Sequence, residues 1–199
     1  KKPHYVAGHS LGEYNALLAA GAYDFETGLK LVKKRAELMS RVSGGGMAAV
    51  IGLSGDRVEE ILKNSGEKRV EIANYNAPRQ IVLAGLRDDI SRISSLFEKE
   101  GAMYIPLNVS GAFHSSYMSD LKHEFREYLD QFIFSDLTIP VVANVTARPY
   151  RQGDGIDNLT EQVTNPVRWT DSIRYLIGRG EMEFEEIGPG NVLTGLVGS

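Results

Sequence analysis

The chain has 199 residues, of which 42% are hydrophobic and 24% charged, and its formal net charge is −4 at pH 7. This balance is ordinary for a globular protein with a sizeable core, and it argues against a nucleic-acid-binding surface. The chain has no cysteine, which excludes disulfides, thiolate catalysis and cysteine-ligated metal sites. It also has no apolar run long enough to span a membrane and no signal-peptide pattern, so we expect a cytoplasmic protein.

The first predicted elements surround a G-x-S-x-G motif, GHSLG, at residues 8–12. Residues 5–7 are typical of the end of a buried strand, and residues 13–20 are typical of a helix closed by Gly21. A strand before the motif and a helix after it indicate a nucleophile elbow, which presents a serine hydroxyl at a helix N-terminus. The alternative is a coincidental Gly-Ser-Gly loop. We predict an enzyme in which Ser10 is acylated.

A second helix is predicted from Asp24, as its N-cap, to about residue 42. Over residues 47–108 the predicted order is β-α-β-β-α-β, which is the order of a ferredoxin-like unit. The predicted strands are 47–53, 70–73, 80–84 and 103–107, with residues 74–78 joining the middle two, and the predicted helices are 56–64 and 88–100. This unit is interpreted as an insertion.

Beyond the insertion, the pattern predicts helices at 116–132 and 170–178 and strands at 139–145 and 183–187. A turn rich in glycine and aspartate is predicted at 152–157. An open α/β sheet whose nucleophile strand comes first in the sequence would be unusual. We therefore expect upstream strands of the core to be absent from this chain.

A serine nucleophile needs a base, and the chain has four histidines: His4, His9, His114 and His123. His114 stands in a loop of small residues directly after the last strand of the insertion, and catalytic residues concentrate in such loops. His123 is expected on a solvated helix face, and His9 is expected to pack structurally beside the nucleophile. We predict His114 as the base, the alternative being a structural histidine.

Arg35 is the only charge on the apolar half of the helix that follows Asp24, when that helix is projected at about 100° per residue. A buried charge needs an anionic partner to offset its desolvation. Helix geometry favours an internal salt bridge to an aspartate or glutamate. The alternative is the carboxylate of a ligand, which a guanidinium can bind through two hydrogen bonds.

Seven segments in order resemble malonyl-CoA:acyl carrier protein transacylases, and most closely the free-standing acyltransferases that serve polyketide synthases in trans. They are GHSLGE, KKRAELM, GGGMAAVIGL, NYNAPRQIVLAG, the AFHS loop, NPVRW and EIGPGNVLTGL. The resemblance implies an α/β fold, with an α/β-hydrolase-like acyltransferase core formed by residues 1–46 and 109–199. A ferredoxin-like subdomain at 47–108 is inserted in that core.

The implied activity is transfer of malonyl from malonyl-CoA to the phosphopantetheine thiol of an acyl carrier protein, in polyketide or fatty acid synthesis. The resemblance implies that Ser10 is the nucleophile, that His114 is the base and that Leu11 supplies an oxyanion-hole N–H. The backbone carbonyl of Gln162 would orient the histidine, in place of a triad carboxylate. Arg35 would bind the malonyl carboxylate, so the resemblance favours a substrate-binding role for Arg35 over an internal salt bridge.

Two further residues complete the predicted site. The resemblance places Phe113 against the α-carbon of the acyl group, and we count His9 among the substrate-binding candidates. No metal or organic cofactor is expected, since the CoA thioester is itself a substrate. We expect no nucleic-acid or membrane partner, and the resemblance favours a monomer.

The chain departs from the family pattern in two ways. Family members begin with a Gly-Gln-Gly segment whose glutamine gives the second oxyanion donor, and no such segment is present here. The chain also stops soon after Leu196, where relatives continue. We therefore expect an incomplete core.

Three other functions stay open. An acyl hydrolase of the same fold is disfavoured by Arg35, because such relatives typically lack arginine at that position. A general esterase is disfavoured because its histidine comes late in the chain, and none follows His123. A non-catalytic docking domain of a synthase is disfavoured by the intact serine, arginine and histidine.

Overall fold

Two β-sheets organise the chain in a computed structural model that describes residues 2–181 and 183–198. One sheet pairs two short parallel strands, β1 (Val6–Ala7) and β6 (Val141–Val142). The other is antiparallel, in the order β3-β4-β2-β5. Its strands are β2 (Gly45–Ile51), β3 (Val70–Ala77), β4 (Gln80–Leu86) and β5 (Met103–Leu107).

Helices connect and cover these sheets, so the fold is α/β. They are α1 (Gly12–Ala19), α2 (Phe25–Ser40), α3 (Gly55–Ser65), α4 (Arg87–Arg92), α5 (Ser94–Lys99), α6 (Ser119–Leu129), α7 (Gly155–Gln162), α8 (Trp169–Gly178) and α9 (Val192–Val197), with a 3-10 helix at Ser116–Met118. Within the described residues, every helix is too short or too polar to cross a lipid bilayer.

Helix α2 shows how local sequence sets the position of the site. The Asp24 side chain accepts a hydrogen bond from the Thr27 N–H at 2.8 Å, which confirms the predicted N-cap. Leu31 and Leu38, two turns apart, lie on the same face and are fully buried in the core that also contains Phe125 of α6. That burial turns the same face of α2, with Arg35, towards the interior.

The two faces of the antiparallel sheet have different neighbours. One face packs against α3, α4 and α5, where Val50, Leu83 and Phe97 are fully buried. The other face carries Met47 and Ala49 and packs against the loop that follows β5. The approach is close, because a Cβ added to Gly45 would lie 2.3 Å from the Ala112 backbone nitrogen. The sheet thus supports the loop that bears His114.

The strand and helix order predicted for residues 47–108 is confirmed, with two differences. Strand β3 continues through residues 74–77, which the sequence analysis assigned to the connection. The helix predicted at 88–100 is broken at Ile93 into α4 and α5. Ser91 and Ser94 each donate a hydrogen bond to a backbone carbonyl, of Arg87 and Ser91 respectively, and such bonds bend helices.

The carboxyl-terminal part of the chain departs further from prediction. Helix α7 begins inside the turn predicted at 152–157, so that helix was missed. The strand predicted at 139–145 is reduced to Val141–Val142, because residues 143–148 form a turn closed by an Ala143 N–H to Arg148 O hydrogen bond. The prediction of a strand at 183–187 is wrong. The Glu186 carboxylate there accepts from the backbone N–H groups of Leu193 and Thr194, at the start of α9.

Candidate active site

The G-x-S-x-G motif forms a tight turn between β1 and α1. Ser10 has φ +51°, in the left-handed region that costs energy for any residue with a Cβ. The turn is so close that a Cβ on Gly8 would lie 2.0 Å from the Gly12 backbone, so only glycine fits at position 8. A Cβ on Gly12 would meet nothing within 4 Å. The strained turn projects the Ser10 hydroxyl from the start of α1.

Ser10 and His114 are in direct contact, although 104 residues separate them in sequence. The Ser10 Oγ lies 2.7 Å from His114 Nε2, and His114 Nδ1 lies 2.8 Å from the Gln162 carbonyl oxygen. A carbonyl can only accept, so Nδ1 carries the proton and Nε2 is free to accept one from the serine. His114 itself has φ +57° and is buried. The arrangement is that of a nucleophile, a base and an orienting group.

Burial, and after it the nearby positive charge of Arg35, lower the pKa of His114 from 6.5 to about 3. The hydrogen bond to the Gln162 backbone opposes both effects. The ring is therefore neutral at physiological pH, which is the form that can take a proton from a hydroxyl.

Arg35 is buried and directs one Nη2 hydrogen bond to Ser10 Oγ at 2.8 Å. The salt bridge that helix geometry favoured is not formed with any described residue, since no described carboxylate lies within 4.0 Å of its guanidinium. The guanidinium carbon is 5.6 Å from the centre of the Tyr14 ring. Its Nε is buried without a hydrogen-bond partner within the described part of the chain. A buried cation beside the nucleophile thus has hydrogen-bonding capacity left for an anion.

A second group, which the sequence analysis missed, lies beneath the elbow. Glu13, the residue after the motif, is fully buried. Its carboxylate accepts from the Asn144 backbone N–H at 3.1 Å, from the Tyr150 hydroxyl at 2.5 Å and from the Gln162 side-chain amide. Burial raises the pKa of Glu13 from 4.5 to about 7 despite these bonds. The missed signal is the glutamate at the start of a helix, GEYNALLA, in which Asn15 is the only other strongly polar residue.

The remaining predicted residues lie around this centre. Leu11 is the N-cap of α1, and its N–H makes no backbone hydrogen bond within the described residues. His9 Nε2 donates to Asn76 Oδ1 at 2.8 Å, and its ring packs 5.7 Å from that of Trp169. Burial lowers the pKa of His9, and the bond to Asn76 opposes this. Phe113 is half-buried between the apolar clusters of the two sheets.

The other two histidines are remote from Ser10. His4 Nδ1 is paired with Glu181 at 3.1 Å. His123 is exposed on α6, 3.9 Å from Glu127. Of the four histidines, His114 is the one placed to act on Ser10.

The sequence matches the family described as acyl transferase domain over residues 1–197. The chain is 58% identical over 199 residues to a polyketide biosynthesis protein, PksE, of Bacillus subtilis, covering 99% of this chain and 26% of that protein. It is also 58% identical over 199 residues to a polyketide biosynthesis malonyl CoA-acyl carrier protein transacylase, BaeC, of Bacillus velezensis, covering 98% of this chain and 68% of that protein.

A solved structure gives an independent comparison. It shows a malonyl-transacylase in complex with a type II polyketide synthase acyl-carrier protein, and it superposes with a TM-score of 0.94 at 34% identity. The match covers 99% of this chain and 66% of that one. The chain therefore spans about two thirds of BaeC and of this structure, and about a quarter of PksE.

Proposed function

The chain belongs to the acyl transferase domain family, and on that premise we propose that it moves a malonyl group from malonyl-CoA to the phosphopantetheine thiol of an acyl carrier protein. One observation carries this proposal. Ser10 Oγ is within hydrogen-bond distance of both His114 Nε2, at 2.7 Å, and Arg35 Nη2, at 2.8 Å. The nucleophile thus has a neutral base on one side and a buried cation, suited to a substrate carboxylate, on the other.

In the first half-reaction, Ser10 Oγ attacks the thioester carbonyl carbon while His114 Nε2 takes the hydroxyl proton. The carbonyl oxygen becomes negative and is stabilised by the Leu11 N–H at the start of α1. The intermediate collapses, the C–S bond breaks, and CoA leaves as a thiol with the proton from His114. Malonyl is then an ester of Ser10.

In the second half-reaction, the thiol of the carrier's phosphopantetheine arm gives its proton to His114 and attacks the ester carbonyl. The Ser10 C–O bond breaks, and the serine recovers the proton. Arg35 binds the free malonyl carboxylate in both halves, which a guanidinium does through two parallel hydrogen bonds. Phe113, next to the base, limits the room at the acyl α-carbon.

The proposal includes a role in polyketide biosynthesis, which the names of PksE and BaeC support, and we further propose that the chain acts in trans. We also propose an acyltransferase that works as a monomer in the cytoplasm without metal or organic cofactor. An acyl hydrolase of the same fold is the second candidate, and Arg35 argues against it, because hydrolysis of uncharged acyl groups has no use for a buried cation beside the nucleophile.

The finer fold description is also a proposal. Residues 1–46 and 109–199 would form an α/β-hydrolase-like core, and residues 47–108 an inserted ferredoxin-like subdomain. The strand order β3-β4-β2-β5 supports this. In it, β2 and β5, the first and last strands of the β-α-β-β-α-β unit, are neighbours in the sheet.

The test of the proposed function is a two-substrate transfer assay with the natural protein, malonyl-CoA and a phosphopantetheinylated carrier protein. Mass spectrometry should show the carrier gaining one malonyl group, and Ser10→Ala should abolish the transfer. Release of free malonate with no malonyl-carrier formed would instead establish the hydrolase.

A further inference from the structure

We infer that Glu13 is a positioning residue for the acylation step, because it ties together the groups that hold both Ser10 and His114. This inference rests on the proposed function only in taking Ser10 as the nucleophile and His114 as its base. Glu13 touches neither reacting side chain. It acts through Asn144 and Gln162.

On the serine side, the link is Asn144. Its backbone N–H donates to Glu13 Oε1, and its side chain spans the elbow. The Ser10 N–H donates to Asn144 Oδ1 at 2.7 Å, and Asn144 Nδ2 donates to Gly8 O, also at 2.7 Å. The strained φ of Ser10 is thus held on both sides by one buried amide, and Glu13 holds that amide's backbone.

On the histidine side, the link is Gln162, at the end of α7. Its side-chain Nε2 donates to Glu13 Oε2 and, at 3.0 Å, to the Ser10 carbonyl. Its backbone carbonyl accepts the His114 Nδ1–H at 2.8 Å. One residue therefore contacts the elbow, the base and the carboxylate. In a hydrolase triad the carboxylate accepts a hydrogen bond directly from the histidine. Here Gln162 lies between the Glu13 carboxylate and His114.

A purely structural carboxylate would be costly at this depth. Burying a charge is unfavourable unless hydrogen bonds compensate for the lost hydration. Two of the three residues that donate to Glu13, Asn144 and Gln162, also bind the Ser10 backbone or the His114 ring, and the third donor is the Tyr150 hydroxyl. A misplacement of about 1 Å at a reacting atom can cost on the order of 10² in rate. Because Glu13 binds the residues that hold Ser10 and His114, we infer that it helps to fix the distance between these two reacting groups.

The test uses Glu13→Gln in the natural protein. The substitution keeps the side-chain size but replaces an oxygen acceptor by an NH₂ group, which then faces one of the three donors. Tyr150→Phe removes one donor and leaves Ser10, His114 and Gln162 unchanged. Thr160→Ala is the matched control, because it deletes a buried hydrogen bond to Ile156 O within α7, away from Glu13.

The measurement is single-turnover labelling of Ser10 by malonyl-CoA, with rate constant and final labelled fraction recorded separately. Glu13→Gln should label to the wild-type fraction at a rate constant about 10- to 100-fold lower, with unchanged half-saturating malonyl-CoA. The rate constant of Tyr150→Phe should fall by a smaller factor than that of Glu13→Gln, and Thr160→Ala should keep the wild-type rate constant.

Two results would overturn the inference. One is a wild-type rate constant in Glu13→Gln with a reduced labelled fraction, which marks a role in folding only. The other is an equal loss of rate constant in Thr160→Ala. Failure of the wild-type protein itself to become labelled would count against the proposed function instead, so the two failures are distinguishable.

Discussion

Ser10 Oγ can donate its hydroxyl proton to a neutral imidazole while it accepts a hydrogen bond from a buried guanidinium. The two contacts have separable consequences. In the proposed mechanism, the imidazole governs how fast the serine is acylated, and the guanidinium governs which acyl group is accepted. Substituting each partner alone therefore tests two different parts of the proposal.

Replacing His114 by alanine removes the base but leaves Ser10 and Arg35 in place. Labelling of Ser10 by malonyl-CoA should slow by roughly 10²–10⁴-fold, which is the usual contribution of general-base catalysis. His123→Ala is the matched control, because that side chain is exposed on α6. Rapid-quench mass spectrometry measures both variants. If labelling is slow in His123→Ala and fast in His114→Ala, then His123 is the base and the assignment of His114 is wrong.

Arg35→Ala should reverse the acyl preference. Malonyl transfer should fall by about 10²-fold or more, because a substrate carboxylate would be buried without a partner. Acetyl transfer should be retained or increased. The measurement is competition between malonyl-CoA and acetyl-CoA, with Lys33→Ala, at an exposed position of α2, as the control. An Arg35→Ala variant that stays malonyl-selective would contradict a substrate role for the guanidinium.

The contact between Ser10 and His114 was predictable because chemistry limited the choice. Four histidines and one strand-turn-helix motif left few ways to build a serine nucleophile with a base. The partner of Arg35 could not be predicted from the helix, since periodicity shows only that a face is buried and not what it meets. Glu13 was missed for the same reason, because its three donors come from residues more than 130 positions away in sequence.

Among the elements, the elbow is held by backbone packing as well as by hydrogen bonds. Gly8 and Gly12 flank Ser10 symmetrically in the motif, yet the structure uses them differently. Gly8 lies against the Gly12 backbone, whereas Gly12 faces open space. The motif alone does not reveal this asymmetry.

Gly8→Ala should therefore disrupt the elbow, since a Cβ 2.0 Å from the Gly12 backbone must displace α1 or β1. We expect a loss of stability greater than about 3 kcal/mol, at the upper end for overpacking substitutions. Gly12→Ala is the matched control and should stay within about 1 kcal/mol of the wild type. Urea unfolding measures both, and equal stabilities would contradict the packing described for the turn.

Secondary structure was predictable where the apolar pattern was clear, as in the continuous apolar run of β2 and the helical periodicity of α2. It was not predictable where distant groups decided the outcome. Helix α7 was missed because Gly153 and Asp154 resemble a turn, while the burial of Leu159 and Gln162 that stabilises the helix comes from the rest of the fold. The segment 183–187 has an apolar and charged pattern that resembles a strand, but its Glu186 caps the start of α9 instead.

At the scale of the whole molecule, two buried groups of the site give opposite contributions to the pH dependence of stability. The native state holds the His114 pKa near 3, so only the unfolded chain binds that proton between about pH 3 and 6.5, and stability rises with pH there. The native state raises the Glu13 pKa to about 7, so it keeps a proton that the unfolded chain loses above 4.5. The contribution of Glu13 to stability therefore falls as the pH rises from about 4.5 to about 7.

The two slopes oppose each other between about pH 4.5 and 6.5. Glu13→Gln removes one of them, so the free energy of unfolding of this variant should rise more steeply with pH than that of the wild type. Half-buried His9, whose pKa is also lowered, adds to the rising slope in both proteins and does not change the comparison. Urea unfolding across this range measures the difference, and parallel curves would contradict it.

The most direct test of the central claim is the site of the covalent intermediate. The natural protein is incubated with malonyl-CoA in the absence of carrier, digested, and analysed by tandem mass spectrometry. We predict one malonyl group, carried by Ser10 in the GHSLG segment and discharged when a phosphopantetheinylated carrier is added. A malonyl group on any other residue, or transfer to the carrier that survives Ser10→Ala, would contradict the account.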